Sequence, residues 1–291
     1  MPANKVKAIR PIWPNAGSRQ RYQRCMLALI REMADSVAYW LEAQRKAAPP
    51  ILAKDALPSA EMQDEVQRLF EQWRKRFEAE APKMAGAFVR SQFSATNSAM
   101  RQALKDAGWS VEFTMTPAMR DAFEASLAEN VGLIKSIPAR YLQEVEGIVM
   151  RNYAAGRDLK SMAAEIRGRY KVTANRAVLI ARDQSNKCNA VVQEARQTEL
   201  GIVEGQWLHS HAGKMPRPTH VAMNGKRYLI SKGMWDSAAK KWIHPGELIG
   251  CRCVGRSVLP WTPTQQPSLG NLGKYATGHH SGHQTQLPER D

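Results

Sequence analysis

Two of the four cysteines, Cys251 and Cys253, stand one residue apart, downstream of His209, His211, His220 and His244. Three chemistries use such a pattern. In extended backbone, side chains at i and i+2 share a face, and two thiolates on one face can hold Zn²⁺ together with imidazoles. The same pair could be redox-active, although a C-x-C loop is too tight for relaxed disulfide geometry. The third is a packed corner, with the thiols as small buried residues and the histidines bonded to backbone. Zinc ligand pairs usually follow C-x₂₋₄-C spacing, so all three readings stand. The metal set on offer is His220, Cys251, Cys253 and His209. Arg252 lies between the thiols and points to the opposite face, where it can pair with a carboxylate such as Asp236 or Glu247.

The surroundings are strongly basic. The 291 residues carry a formal net charge of +15, and the pI is near 9.9. Such a surplus points to a polyanion or an acidic partner. Lys5, Lys7, Arg10, Arg19, Arg21 and Arg24 all precede the first acid, Glu32. With Pro11 and Pro14 blocking helix, residues 1–20 read as a basic irregular arm and those six side chains as nucleic-acid contacts. No run of about eighteen apolar residues exists to span a membrane. The basic start lacks a signal peptide's apolar stretch. The cysteine spacing is unlike a secreted disulfide framework, which predicts synthesis in a reducing compartment.

The elements that must position these residues fall into two textures. Residues 21–155 read as a helical region. Met26, Leu29 or Ile30, Met33, Val37 and Trp40 or Leu41 recur at steps of three and four, as do Met62, Val66, Leu69, Trp73 and Phe77. Pro49 and Pro50 break the first helix, Pro82 ends or bends the second, and a third stops at Gly108. The alternation of Trp109, Val111, Phe113 and Met115 predicts a short strand near 109–115. Further helices are expected over 117–129, 138–154, 158–169 and 173–200, with Cys188 as a small core residue. After Gly201 the periodicity stops. "VEGQWLHS", "KRYLIS" and "KKWIHP" read as short strands in a β-rich module over 201–260, and Asn224-Gly225 reads as a hairpin turn. Residues 261–291 are polar and rich in Gly, Pro and Gln, the composition of a flexible tail. The fold class expected is α+β: a mostly helical N-terminal region, a small β-rich C-terminal module and a disordered tail.

Trp207, then Arg217-Pro218-Thr219-His220, Asn224-Gly225-Lys226, Trp235-Asp236 and the closing "HPGELIGCRC" together resemble the C-terminal domain of Mu F-like phage head morphogenesis proteins. The preceding helix, "IARDQSNKCNAVVQEARQTELG", resembles that family's helix and supplies Arg182. The domain would run over 156–260, with helices over 158–200. Two departures stand out: "HSHAGKM" replaces the usual acidic run before R-P-x-H, and Gly250 replaces the usual asparagine before C-R-C. The resemblance implies a minor capsid protein of a tailed-phage head, acting next to the portal during assembly. Its implied partners are the portal, capsid or scaffold proteins and packaged double-stranded DNA bound without sequence specificity. Its implied places are the host cytoplasm during assembly and then the virion. No catalytic residue carries over, so no enzyme activity is expected. Arg182, Trp207, Arg217, Pro218, His220, Gly225, Cys251, Arg252 and Cys253 are expected to be structural. The alternative from the residues is a metal-dependent nuclease using His209, His211, His220 and Asn224, or a zinc-ribbon-like nucleic-acid-binding protein.

Overall fold

The computed structural model describes residues 7–47, 58–154, 159–213 and 215–259, with side chains at 44–47, 58–62, 153–154 and 159–160 excepted. Lys5, Pro49, Pro50 and the 261–291 tail lie outside the described residues. The fold is α+β: four long helices, then a small antiparallel sheet.

Helix α1 (Ala16–Ala47) starts at Asn15, whose Oδ1 accepts from the Ser18 N–H at 2.8 Å. Its stripe of Tyr22, Met26, Ile30, Met33, Val37 and Leu41 is buried. It packs with α2 (Pro58–Asp106), α3 (Pro117–Ala154) and α4 (Leu159–Glu199) around one core, to which α4 contributes Ala177, Ile180, Ala181, Cys188 and Val192.

The helices are longer and fewer than the sequence predicts. Pro82 lies inside α2 and Pro138 inside α3, and the pairs expected at 117–129/138–154 and 158–169/173–200 are each one helix. Proline removes one helical hydrogen bond and crowds the preceding turn. The buried stripe nonetheless runs through both sites, with Ala81 and Ala85 around the first and Ile134, Ile137 and Tyr141 around the second. Tertiary packing of that stripe holds each helix together.

The strand expected near 109–115 does not form. Gly108 (φ 94°) closes α2 with a paired C-terminal cap, Gly108 N–H to Lys105 O and Trp109 N–H to Leu104 O. The chain then runs extended without a partner strand. Its alternation has another cause: Trp109, Val111 and Phe113 lean half-buried on the second core. There the Arg196 guanidinium sits 4.5 Å above the Phe113 ring.

That second core lies beneath a four-stranded antiparallel sheet in the order β1-β6-β2-β3. The strands are β1 (Lys7–Ala8), β2 (Glu204–Leu208), β3 (Arg227–Leu229) and β6 (Val254–Leu259). A separate hairpin pairs β4 (Met234–Asp236) with β5 (Lys241–Ile243), and a short helix α5 (Pro218–Met223) follows β2. Three of the five strands after α4 coincide with the quoted segments; β4 and β6 were not anticipated. Trp207, Tyr228, Ile230, Ile243, Cys251, Cys253 and Leu259 pack with Met100, Ala103 and Leu104 from the end of α2. The sheet is thereby fixed to the helical body.

Residues 7–12 are not a free arm. Lys7 and Ala8 pair with Leu259 and Val258 of β6. Ile9 and Ile12 are buried in the second core. The Ile12 carbonyl accepts from Asn189 Nδ2 at 2.9 Å and Gln193 Nε2 at 3.1 Å. An alternation of basic and apolar residues too short to register as periodic places Lys7 and Ala8 on a sheet edge.

Asn224-Gly225 turns the chain from α5 into β3 rather than joining two strands, with Gly225 at φ 78°. Tyr228 of β3 lies flat across β2 and β6. A Cβ on Gly205 would stand 2.6 Å from its ring, and one on Gly255 would strike its hydroxyl.

Candidate functional site

His220 is on the last turn of α5, which starts with Pro218 at a first-turn position, where the missing N–H is no loss. Its ring is 2% exposed and stands edge-on to Trp207, centroids 5.2 Å apart. Nε2 lies 3.1 Å from Asp236 Oδ2. Nδ1 faces the thiols, 3.4 Å from Cys251 Sγ and 3.6 Å from Cys253 Sγ. The three ligand atoms lie within 4.8 Å of one another. The sequence expectation that the thiols share a face holds, and the face is buried.

Asp236 ends β4 and its Oδ1 accepts from the Ala238 and Ala239 N–H groups at 2.9 and 3.2 Å. Burial alone would raise its pKa. The two N–H groups and His220 outweigh that and hold it below the ordinary carboxylate value. Burial likewise pulls His220 down, but the Cys251 sulfur and the Asp236 carboxylate raise it overall. A hydrogen bond from Cys253 dominates at Cys251 and, with His220, draws that thiol down to about 4 against burial. Cys253, keeping its proton toward Cys251, is pushed up.

The loop entering the C-R-C stretch is held from three sides. Gly250 N–H donates to Asp183 Oδ1 on α4 at 2.6 Å, and Arg217 Nη2 donates to the Ile249 carbonyl at 2.8 Å. Gly250 has φ 73°, a left-handed conformation that glycine and asparagine are the residues most able to adopt. The replacement of the usual asparagine by glycine therefore preserves the turn. Arg252 Nη1 donates to the Ala212 carbonyl. It pairs with neither Asp236 nor Glu247, because His220 occupies the first and Lys241 Nζ, at 2.8 Å, the second.

His209 does not join the trio. Its Nδ1 accepts from the His211 N–H at 3.2 Å. Burial, then the neighbouring His211, push its pKa down. It does line the same cavity, about 390 Å³, that the buried His220, Cys251 and Cys253 border. His244 is spent structurally, Nε2 lying 2.8 Å from the Ile230 carbonyl. Asn224 Oδ1 accepts from the His209 N–H at 2.9 Å. Arg182, on α4, is half-buried; burial lowers its pKa, as do Arg252 and Arg19 nearby. Of the six basic residues at the chain start, Lys5 is outside the described residues. Arg10 pairs with Asp106 at 3.5 Å, Arg21 Nη2 donates to Ser91 Oγ at 3.0 Å, and Arg19 lies toward Arg182. Lys7 is on the sheet edge and Arg24 on the exposed side of α1.

Sequence reasoning missed two contributors. Asp236 is offered by the sequence, with Glu247, as a partner for Arg252, although an Asp followed by small residues is a turn-capping signal. Asp183 carried no signal, since its partner is a backbone N–H 67 residues away.

A helical body with a small sheet module closed by a His-Cys-Cys corner defines an α+β protein whose distinctive chemistry lies in its C-terminal third. Residues 143–256 match the family described as Phage Mu protein F like protein. An uncharacterized protein of Haemophilus influenzae strain Rd is 36% identical over 144 residues, covering 50% of this chain and 31% of that protein. The chain thus spans about a third of the length of the curated relative it matches. No solved structure matches.

Proposed function

We propose that the protein is a minor structural component of a tailed-phage head, acting in head morphogenesis beside the portal. The observation that carries this reading is the family match over 143–256, a segment containing every residue of the His-Cys-Cys corner. Its partners are the portal, capsid or scaffold subunits, and its final place is the virion. Among the described residues no helix is long and apolar enough to cross a membrane.

Contact with packaged DNA is electrostatic and without sequence preference. The support is the charge of +15 and the nearness of both Arg19 and Arg252 to Arg182; phosphate neutralisation of this kind weakens steeply with salt. The role is architectural rather than enzymatic. Mg²⁺-type nuclease chemistry needs hard oxygen ligands, and Asp236, the carboxylate nearest His220, is turned to that imidazole and to two backbone N–H groups.

The experiment is complementation of a phage whose corresponding reading frame is disrupted. Loss of DNA-filled heads, restored by the chain in trans, is the expected result. Normal heads and plaque yield without it would refute the role. Binding to random duplex DNA across a salt series tests the second part, and no binding at low salt removes it.

A further inference from the structure

We infer that His220, Cys251 and Cys253 form a Zn²⁺ site that locks the C-terminal module. The inference does not depend on a role in the phage head.

The first argument is geometric. With Zn–S near 2.3 Å and Zn–N near 2.05 Å, tetrahedral coordination sets S···N edges of about 3.6 Å. The two S···N separations are 3.4 and 3.6 Å. A ring nitrogen directs one in-plane bond along one axis, so at most one of the two sulfurs can make a linear hydrogen bond to it. Two sulfurs nearly equidistant from one nitrogen are what a shared ion between the three atoms produces.

The second argument is the outer shell. Metal-bound histidine characteristically places its other nitrogen on a carboxylate, which fixes the tautomer and the ring. Asp236 does this at Nε2 and is itself pinned by two N–H groups. The Trp207 indole lies close to Cys253. The buried Trp207 Nε1 has no conventional acceptor. An uncompensated buried donor is costly, and a metal thiolate beside it supplies the missing negative charge. Two thiolates and an imidazole are a borderline-soft set that suits zinc rather than magnesium or calcium.

All three ligand residues border the cavity that His209 also lines, which leaves room for a fourth ligand. The three ligands come from α5 and the approach to β6, and Asp236 brings in β4. One ion therefore ties together three elements of a module whose hydrophobic core is small.

The test uses the full chain with any purification tag removed. About one zinc per chain is expected by elemental analysis. Exchange of that zinc for Co²⁺ should give a near-ultraviolet thiolate-to-cobalt charge-transfer band and the strong visible bands of tetrahedral cobalt. His279, His280 and His283 cannot produce the thiolate band, so metal held there is distinguished. The Cys251→Ser/Cys253→Ser double variant should lose the band, and Cys25→Ala/Cys188→Ala should keep it. Wild-type protein that is folded by circular dichroism yet shows no thiolate band with Co²⁺ overturns the inference. So does rapid alkylation of Cys251 and Cys253 in the presence of saturating zinc. Neither result bears on complementation of head assembly.

Discussion

His220 works as a coupling between two chemistries, with sulfur at Nδ1 and a carboxylate at Nε2. If the ring holds zinc, Asp236 acts on metal affinity without touching the ion. Asp236→Asn should then weaken zinc binding by about 10- to 100-fold, read by competition with a chromophoric chelator; unchanged affinity would deny Asp236 that function. The remaining cysteines separate by exposure. Cys25 is exposed. Cys188 is buried on α4, and burial pushes its thiol up to about 12. In the native protein iodoacetamide should label Cys25 and spare Cys188, which becomes reactive only on unfolding. Mass mapping of the alkylated peptides decides this, and native labelling of Cys188 would mean that the helical core opens readily.

At the scale of elements, α3 and α4 are joined by Glu129. Its Oε1 accepts from Lys187 Nζ at 2.8 Å and Gln184 Nε2 at 2.9 Å. Burial raises the Glu129 pKa, but these two partners outweigh it and leave it below the ordinary carboxylate value. A carboxylate with a depressed folded pKa stabilises the fold above its unfolded pKa, and that contribution fades as pH falls through the folded value. Glu129→Gln should therefore lower stability at neutral pH and flatten its decline below about pH 4.5, as followed by urea midpoints across pH. An unchanged acid slope would show that the contact does not contribute. In the sheet, Gly205→Ala drives a Cβ into the Tyr228 ring, to 2.6 Å. Overpacking of that kind costs about 1–3 kcal/mol, measurable as a shift in denaturant midpoint. Trimming the ring with Tyr228→Leu should recover part of the loss.

For the molecule as a whole, the chain start and the last described strand close onto each other. Ile9 and Ile12 enter the same core as Trp207 and Leu259, and β1 completes the sheet edge against β6. Replacing each isoleucine by alanine should cost about 2–5 kcal/mol. Hydrogen exchange should show the loss concentrated in β6 and β2 rather than in α1. A purely electrostatic arm would instead change salt-dependent DNA binding and leave exchange unaltered. The Asp183 bond to Gly250 carries the same lesson across the molecule. A carboxylate of the helical body holds the loop that leads into Cys251, so module and body are expected to unfold together.

Local periodicity and glycine or proline placement were enough to read the helical half, the change of texture after Gly201, the core position of Cys188 and the common face of Cys251 and Cys253, because each is set by residues close in sequence. Where helices end is a different matter: at Pro82 and Pro138 a local penalty competes with a buried stripe that exists only after packing. The alternation at 109–115 likewise records burial on one side, and whether a partner strand stands beside it is a long-range fact. Tertiary structure alone decided that His220 faces both thiols, that Asp236 serves this imidazole rather than Arg252, and that Lys7 and Ala8 form an edge strand. Each depends on contacts between residues far apart in sequence, which composition and spacing do not encode.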